Sequence, residues 1–390
     1  MKESKEKITT TLSEKHFFEN ILAHAIHLKM GVALWKNPQT DTKHILFGNT
    51  SSFNVEDVES NRSGFVFHPY SKKETGYLIH SDFKASFDTT PKIEKDNANQ
   101  FENIRFQEPP EIDFYSNGTT TTYCTENESF HDYVVKGINA IKENTLQKAV
   151  PSRSKKVLLP ATFNVIETFQ SLCTTYPNAF VSFVAIPAIG TWMGATPELL
   201  IEVKEDQYFS TVALAGTQPY DGASSLSSIA WTQKEIEEQA LVSRYIINCF
   251  KKIRLREFEE NGPKTAIAGN LLHLKTIFTV DMKATNFPQL GSVMLNLLHP
   301  TSAICGMPQE TANTFITENE GDNRAFFSGY LGPLNLSNQT SIYVNLRCMQ
   351  IINVHAILYA GAGLTGDSDP VKELRETELK MDTLLNVINN

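Results

Sequence analysis

Long apolar runs are missing from this 390-residue sequence. No stretch of about 18 consecutive apolar residues occurs, so nothing in it predicts a membrane-spanning helix. The N-terminal stretch, residues 1–15, is rich in charged residues and threonine, and it lacks the apolar core of a secretory signal peptide. Both absences predict a soluble, cytoplasmic protein.

Cysteine is scarce. The sequence has five cysteines, an odd number, and none of them lies in a C-x-x-C pair. This pattern does not predict a disulfide framework or a zinc site, and free thiols suit a reducing compartment such as the cytoplasm. The cysteines are Cys124, Cys173, Cys249, Cys305 and Cys348.

Positive charge is also in deficit, because 35 lysines and arginines face 44 acidic residues, which gives a formal net charge of −9. The sequence has no long basic run, so neither nucleic acid nor an anionic membrane surface is a predicted partner. If the substrate is a small anion, a few well-placed arginines or lysines, or a metal ion, must bind it.

Hydrophobic residues make up 41% of the sequence, which is enough for a large core. After residue 148, short strand patterns follow one another across short turns, as in antiparallel hairpins. The predicted fold class is α+β, with large antiparallel β-sheets flanked by helices. Residues 1–125 are predicted to form the N-terminal half of the fold and 126–390 the catalytic region, together in one compact domain. The predicted helices are 13–28, 129–144, 233–252, 308–318 and 370–387, and the predicted strands include 31–35, 64–68, 179–186, 191–194, 199–203, 208–214, 326–332, 341–351 and 354–360.

A glycine-rich segment, residues 361–366, follows the last predicted strand and reads G-x-G-x-x-G. In a dinucleotide-binding fold this pattern precedes a helix, a second parallel strand and an acidic residue about 20 positions on. Only 24 residues follow Gly366, and a predicted helix occupies most of them, which disfavours that interpretation. The alternative is that backbone N–H groups of this segment bind a carboxylate, as in anion nests.

Two pairs of glutamates, Glu235 with Glu238 and Glu373 with Glu376, are spaced i, i+3 on predicted helices. Residues three apart share a helix face, so each pair is either a solvated face or half of a metal site. Mg²⁺ prefers a few carboxylates plus water, and it leaves room for an anionic substrate. Because carboxylates repel one another when no cation is bound, we expect that removing Glu238 or Glu376 costs little stability.

Three single residues are candidates for substrate chemistry. Arg347 lies on an otherwise apolar predicted strand, where it serves either as an edge ion pair or in bidentate carboxylate recognition. Glu198 has apolar neighbours, which raise the pKa of a carboxyl and suit it to act as an acid near neutrality. Lys148 could act as a base if burial or a nearby cation favours its neutral amine.

Together these segments resemble the chorismate-utilising enzymes, which include isochorismate synthases, salicylate synthases and the first components of anthranilate and aminodeoxychorismate synthases. The similarity runs in one order from about residue 130 to 388, whereas the first 125 residues match weakly. The matching strings are QKAVPSR (147–153), GATPELL (194–200), LAGT (214–217), KEIEEQALV (234–242), NLLHLKT (270–276), LLHPTSAICGMP (297–308) and the segment AGAG…SDP…E..E.ELK (360–380).

The resemblance implies a role for each candidate residue. Lys148 would activate the water that attacks ring carbon C2, Glu198 would protonate the departing C4 hydroxyl, and His273 would lie close to that hydroxyl. A bound Mg²⁺ would hold the ring carboxylate. The implied metal ligands are Glu235, Glu238, Glu373 and Glu376, and the implied substrate-binding residues are Ala215, Gly216, Thr217, Arg347, Gly361, Ala362, Gly363 and Lys380.

Three positions depart from the family pattern. Gln239 stands where many members have histidine, and Phe327 stands where tyrosine is frequent. Cys305 stands where small or hydroxyl residues are common, and we predict that it is a buried residue and not a nucleophile.

Within the family, the string Leu298-His299-Pro300-Thr301 resembles the isochorismate synthase branch. Gln309 stands where the amine-using and salicylate-forming branches tend to carry lysine, and Ala215 stands where aminodeoxychorismate synthases carry a nucleophilic lysine. The resemblance therefore implies a magnesium-dependent isomerase that acts on chorismate for menaquinone or siderophore biosynthesis. We expect a monomer without a glutamine amidotransferase subunit. A salicylate synthase and a catalytically inactive binding protein are the alternatives.

Overall fold

The computed structural model of the chain describes residues 13–94, 97, 104, 114–115, 126–220, 225–268, 271–321 and 323–389. Cys124 lies outside these residues, and the other four cysteines are free and buried. No helix in these ranges is both long enough and apolar enough to cross a membrane. The α-helices of these ranges are α1 (Glu14–His27), α2 (Asn127–Lys142), α3 (Val165–Thr175), α4 (Gln233–Lys252), α5 (Leu290–Leu298), α6 (Gln309–Asn319) and α7 (Pro370–Ile388).

The β-strands of the described residues form two nine-stranded sheets and a two-stranded ribbon. The first half of the chain contributes β1 (Gly31–Lys36), β2 (Lys43–Gly48), β3 (Thr50–Phe53), β4 (Gly64–His68), β5 (Gly76–His80), β6 (Phe83–Phe87), β7 (Pro91–Ile93), β8 (Lys148–Ala149), β9 (Ser152–Leu158) and β10 (Phe180–Ile186). The second half contributes β11 (Gly190–Thr196), β12 (Leu199–Val203), β13 (Tyr208–Pro219), β14 (Glu259–Ala268), β15 (Leu271–Asp281), β16 (Gly306–Met307), β17 (Tyr330–Leu334), β18 (Thr340–Val344), β19 (Cys348–Ile352) and β20 (His355–Gly361).

Neighbouring strands run antiparallel in both sheets, which confirms the predicted α+β class. The first sheet has the order β7-β6-β2-β1-β10-β11-β19-β20-β9, and the second has the order β14-β15-β13-β12-β18-β17-β4-β5-β3. Strands from before and after residue 125 are direct neighbours in both sheets, since β1 pairs with β10 and β4 pairs with β17. Long-range pairing therefore joins the two halves of the sequence.

Alternating side chains on each strand point to opposite faces of its sheet. On β1, Val32 and Leu34 pack against α1, α3 and α7, whereas Ala33 and Trp35 join an aromatic cluster with residues of the second sheet. A third cluster packs α4 and α5 against the second sheet. The two sheets therefore face each other across an apolar layer, and helices cover their outer faces.

The sequence predicted one strand over 341–351, and this prediction is wrong. β18 belongs to the second sheet and β19 to the first, and the short segment 345–347 crosses between them. Both strands are buried, so the apolar pattern continues through the crossover without a break. Arg347 therefore lies at the crossover, with a left-handed φ of 47°, and not on a strand.

Candidate active site

A cavity with an empty volume of about 690 Å³, including its mouth, gathers most of the predicted site residues. Strand ends of both sheets and the helices α4 and α7 contribute to its walls. The predicted residues that line it are Glu198, Ala215, Gly216, Thr217, Glu238, His273, Arg347, Gly361, Gly363 and Lys380.

Glu198 lies in the turn between β11 and β12, and only 5% of it is exposed. Burial raises the pKa of its carboxyl to about 7, against the opposing effects of the Thr301 hydroxyl and Lys148. The Thr301 hydroxyl donates a hydrogen bond to Glu198 Oε1 at 3.2 Å. A substantial fraction of Glu198 is therefore protonated at neutral pH, as predicted from its apolar neighbours.

Lys148 lies on β8, is fully buried, and donates a hydrogen bond from Nζ to Glu238 Oε1 at 2.9 Å. Burial opposes ionisation of Glu238, but Lys148, together with the charges of Lys380 and Lys234, outweighs this effect and lowers the pKa of that carboxyl. A Cβ atom at Gly363 would lie 2.6 Å from Glu238 Oε1, so a larger residue there would require the Glu238 carboxylate to move. The predicted base and a predicted metal ligand thus form a buried ion pair.

Arg347 reaches the cavity from the sheet crossover. Burial lowers the pKa of its guanidinium to about 10, which leaves it charged at neutral pH. Its Nη1 lies 3.4 Å from the Thr383 hydroxyl and its Nη2 lies 3.5 Å from His273 Nε2, and neither contact neutralises it. In the described part of the chain no carboxylate forms an ion pair with Arg347, so its charge is available to an anion in the cavity.

His273 is a neutral acceptor in this arrangement. Burial, followed by the charges of Arg347 and Lys380, lowers the pKa of its imidazole to about 3. Its Nδ1 lies 2.7 Å from the Gly216 carbonyl oxygen. A carbonyl only accepts, so Nδ1 carries the proton and Nε2 keeps a lone pair. That lone pair lies 3.5 Å from Arg347 Nη2, so His273 can accept a hydrogen bond from a substrate hydroxyl that displaces the arginine from it.

The remaining predicted metal ligands also have partners. Glu373 Oε1 accepts from Lys234 at 2.9 Å, and Glu376 Oε1 accepts from Lys380 at 2.7 Å. Glu235 accepts from the Thr232 amide at 2.8 Å and caps its own helix. Among the described residues, no three histidines, cysteines or acidic residues are grouped closely enough to hold a metal ion.

The ion pairs overturn one expectation from the sequence. Unfilled carboxylate sites were expected to be strained by repulsion, but Glu238 is the ionic partner of a buried lysine. Its removal would leave that lysine buried and unpaired, which is costly. From this ion pair we instead expect the loss of Glu238 to lower the stability of the folded chain.

The donor set nevertheless suits a hard divalent cation. Burial and the Glu376 carboxylate raise the pKa of Glu373, so negative charge there is undercompensated. Glu373 Oε2 is buried and has no hydrogen-bond partner among the described residues, although the Ser368 hydroxyl is near enough to lower the pKa. Oxygen ligands from α4 and α7 are the type that Mg²⁺ prefers.

The glycine segment contributes unequally to the site. The Gly361 carbonyl accepts from Lys380 Nζ at 2.8 Å and helps to fix that ammonium at the cavity. Ala362 does not line the cavity. Its methyl is fully buried in a cluster with Phe130, and its amide donates to the Pro151 carbonyl at 3.1 Å. The expected contact between the Ala362 amide and a substrate carboxylate is therefore not available.

Several cavity residues were not predicted from the sequence. Arg324 lies in a polar segment whose composition resembles that of a surface loop. Thr301, which contacts Glu198 but does not line the cavity, stood in the sequence only as part of a family string. Phe327, which replaces a frequent tyrosine, stacks on Tyr359 at 5.5 Å and forms part of the wall. Cys305 is fully buried, as predicted. Other unpredicted lining residues are Val150, Ser152, Leu214, Ala303, Ile304, Ser328 and Leu346.

Comparison with known protein families shows to which family the chain belongs. The model of the family described as chorismate binding enzyme matches residues 13–389. The chain belongs to this family.

Individual proteins that are similar to this chain include isochorismate synthases. The chain is 26% identical over 264 residues to the vibriobactin-specific isochorismate synthase of Vibrio cholerae, a match that covers 66% of each chain. It is 28% identical over 267 residues to the isochorismate synthase EntC of Escherichia coli, which covers 67% of each. The solved structure of MenF, the menaquinone-specific isochorismate synthase from Escherichia coli, has the same fold. Its TM-score is 0.72 at 19% identity, covering 94% of this chain and 91% of MenF.

Proposed function

We propose that this chain isomerises chorismate to isochorismate. The observation that carries the proposal is a single cavity that holds a largely buried acid, Glu198, and an uncompensated arginine, Arg347, next to the buried amine of Lys148. Both curated relatives described above are named isochorismate synthases, which supports the same activity.

In the proposed reaction, a water oxygen forms a bond to ring carbon C2 while the bond from C4 to its hydroxyl breaks. Lys148 in its neutral form takes the proton from the water, and protonated Glu198 gives its proton to the departing hydroxyl, which leaves as water. The ring double bonds shift between these positions, so no oxidant or reductant is needed. His273 Nε2 accepts a hydrogen bond from the C4 hydroxyl and orients it.

Chorismate carries two carboxylates, and the cavity offers a cationic group for the side-chain carboxylate. Arg347 has the planar donor set that suits bidentate carboxylate binding. Lys380 lines the same cavity and is held by Gly361 and Glu376. A low-dielectric cavity strengthens these charge interactions.

The residues that would hold magnesium are Glu238 and Glu376, with Glu235 and Glu373 binding directly or through water. Bound there, the ion would supply positive charge for the ring carboxylate of chorismate. The cation must compete with Lys148, Lys234 and Lys380 for these carboxylates, so we expect half-maximal activity to require more magnesium than carboxylates without ion-pair partners would need.

Two residues favour water as the nucleophile. The Ala215 methyl lines the cavity and cannot form a covalent bond to the ring. Gln309 donates to the Tyr245 hydroxyl at 3.0 Å and to the Pro300 carbonyl at 2.8 Å, so its amide is engaged by the protein. No lysine at position 215 can attack the ring, and none at position 309 shifts the charge balance towards ammonia chemistry or pyruvate elimination.

The test is product analysis by chromatography. The purified chain is incubated with chorismate and magnesium, with and without an ammonium salt at mildly alkaline pH. We expect isochorismate beside residual chorismate in both tubes, because the isomers differ only in where one hydroxyl sits. Salicylate as the main product would assign the chain to the salicylate-forming branch, and an aminated product would contradict both. The genes that neighbour this one would then show whether isochorismate serves menaquinone or a siderophore.

A further inference from the structure

The strand that carries Lys148 is short. β8 has two residues and pairs with the two-residue β16, outside both nine-stranded sheets, and Ala149 also forms an isolated bridge with Leu364. The Gln147 amide donates to the Met307 carbonyl at 2.8 Å, and the Leu364 amide donates to the Ala149 carbonyl at 2.7 Å. A two-stranded ribbon is marginally stable in isolation, so further contacts must fix the backbone of Lys148.

Arg324 supplies such contacts from another part of the chain. Its Nη1 donates to the Ile304 carbonyl at 2.7 Å, and its Nη2 donates to the Val150 carbonyl at 2.8 Å. Val150 directly follows β8, and Ile304 lies two residues before β16. One guanidinium thus ties together the ends of the two ribbon strands.

Glu320 holds this guanidinium in place. Arg324 Nε lies 3.0 Å from both carboxylate oxygens of Glu320, and Nη2 lies 2.7 Å from Oε2. The Tyr70 ring lies 4.6 Å from the guanidinium carbon, and the Ser152 hydroxyl donates to the same carboxylate. Both side chains of the pair are at most 4% exposed.

Arg324 and Arg347 both line the cavity, but they differ in whether a carboxylate neutralises their charge. Arg324 also lines the cavity, but its charge is neutralised by Glu320 and most of its donors are used by the protein. Arg347 has no such carboxylate partner among the described residues. An anionic substrate therefore gains little from Arg324.

We propose that the Arg324–Glu320 pair is a positioning device that fixes the β8–β16 ribbon and thereby holds the Lys148 amine beside Glu238 at the wall of the cavity. This role rests on the proposed function, in which Lys148 is the base. Several N–H donors in a rigid, planar arrangement are needed to bind two carbonyls and a carboxylate at once. The arginine guanidinium provides this arrangement, and the lysine ammonium does not.

The test is Arg324→Lys, which keeps the positive charge but removes the planar set of guanidinium N–H donors. A misplacement of about 1 Å can cost about 10²-fold in rate, so we expect kcat for chorismate to fall by about tenfold to 10²-fold while KM changes by less than about threefold. The control is Arg62→Lys, which alters a similar arginine–carboxylate pair outside the cavity lining and should leave both constants unchanged. A thermal melt of each variant reports whether it is folded.

The outcomes separate this inference from the proposed function. A wild-type chain that leaves chorismate unchanged contradicts the function, and the positioning role with it. With an active wild type, a folded Arg324→Lys variant with normal kcat, or with raised KM and intact kcat, contradicts positioning alone. If that variant does not fold, Glu320→Gln, which keeps the guanidinium, is measured by the same criteria. Loss of folding in both variants would make the pair a requirement for folding and would overturn the proposal.

Discussion

Two glutamates face the same cavity and are held in opposite states. Glu198 is buried among apolar residues, and burial raises the pKa of its carboxyl to about 7. The Glu238 side chain is 17% exposed, and Lys148 at 2.9 Å, with Lys380 and Lys234 further away, lowers the pKa of its carboxyl against the effect of burial. Glu238 thus has an ammonium within hydrogen-bonding distance, whereas the hydrogen bond to Glu198 comes from the Thr301 hydroxyl.

Such a separation of pKa values between neighbouring carboxyls marks the division between acid and anion roles in an active site. Glu198 can donate a proton near neutral pH, whereas Glu238 stays ionised as a partner for a cation. The following variants each remove the acid, the ionised carboxylate or the lysine that pairs with it.

The largest expected effect comes from Glu238→Ala, which removes the partner of Lys148 and a proposed magnesium ligand together. We expect chorismate turnover to be abolished across a magnesium series. The matched control is Glu237→Ala, because Glu237 is exposed on the same helix. Turnover close to that of the wild type at modest magnesium would reject the assignment of Glu238.

Lys148→Ala and Glu198→Gln remove the proposed base and acid one at a time. General acid–base groups contribute about 10²- to 10⁴-fold, so we expect kcat to fall by that order while KM changes less. Lys155→Ala is the control, since Lys155 is exposed on β9. A raised KM with intact kcat for Lys148→Ala would assign that residue to binding.

The smallest expected effect is on stability, and its sign differs between the two glutamates. Because folding raises the pKa of Glu198 from 4.5 to about 7, ionising it weakens the folded state as pH rises through this window. From about pH 5 to pH 8, Glu198→Gln should therefore gain about 3 kcal/mol relative to the wild type. Glu238→Gln should lose about 3–5 kcal/mol at neutral pH, because it leaves Lys148 unpaired.

Urea unfolding at both pH values measures these differences. A difference between Glu198→Gln and the wild type that does not change with pH would contradict the raised pKa. Stability of Glu238→Gln equal to that of the wild type would contradict the ion pair.

The sequence predicted the parts of this site that depend on local pattern. Antiparallel strands, the helices α4 and α7, and the apolar setting of Glu198 follow from residues close together in the chain. The family resemblance added the roles, and ten of the fifteen implied residues line one cavity.

The parts that depend on distant pairing could not be predicted. Lys148 and Glu238 are 90 residues apart, and Lys234 and Glu373 are 139 apart, so no local pattern shows that they pair. The crossover at Arg347 was hidden because buried strands flank it on both sides. Arg324 lies in a polar segment typical of a surface loop, and its burial is explained by distant partners, namely Glu320, the Tyr70 ring and two backbone carbonyls.

The central claim, that Glu198 is the acid of this cavity, is tested most directly by the pH dependence of kcat/KM for chorismate. This ratio reports the pKa values of essential groups in the free enzyme. An acid must be protonated to act, whereas the base Lys148 must be neutral, so both groups shape the profile. Titration of Glu198 should lower the slope of log(kcat/KM) against pH by about one unit near pH 7, and Glu198→Gln should be slow and lack this change of slope. A wild-type profile without a change of slope near pH 7, or a change that persists in Glu198→Gln, would contradict the assignment.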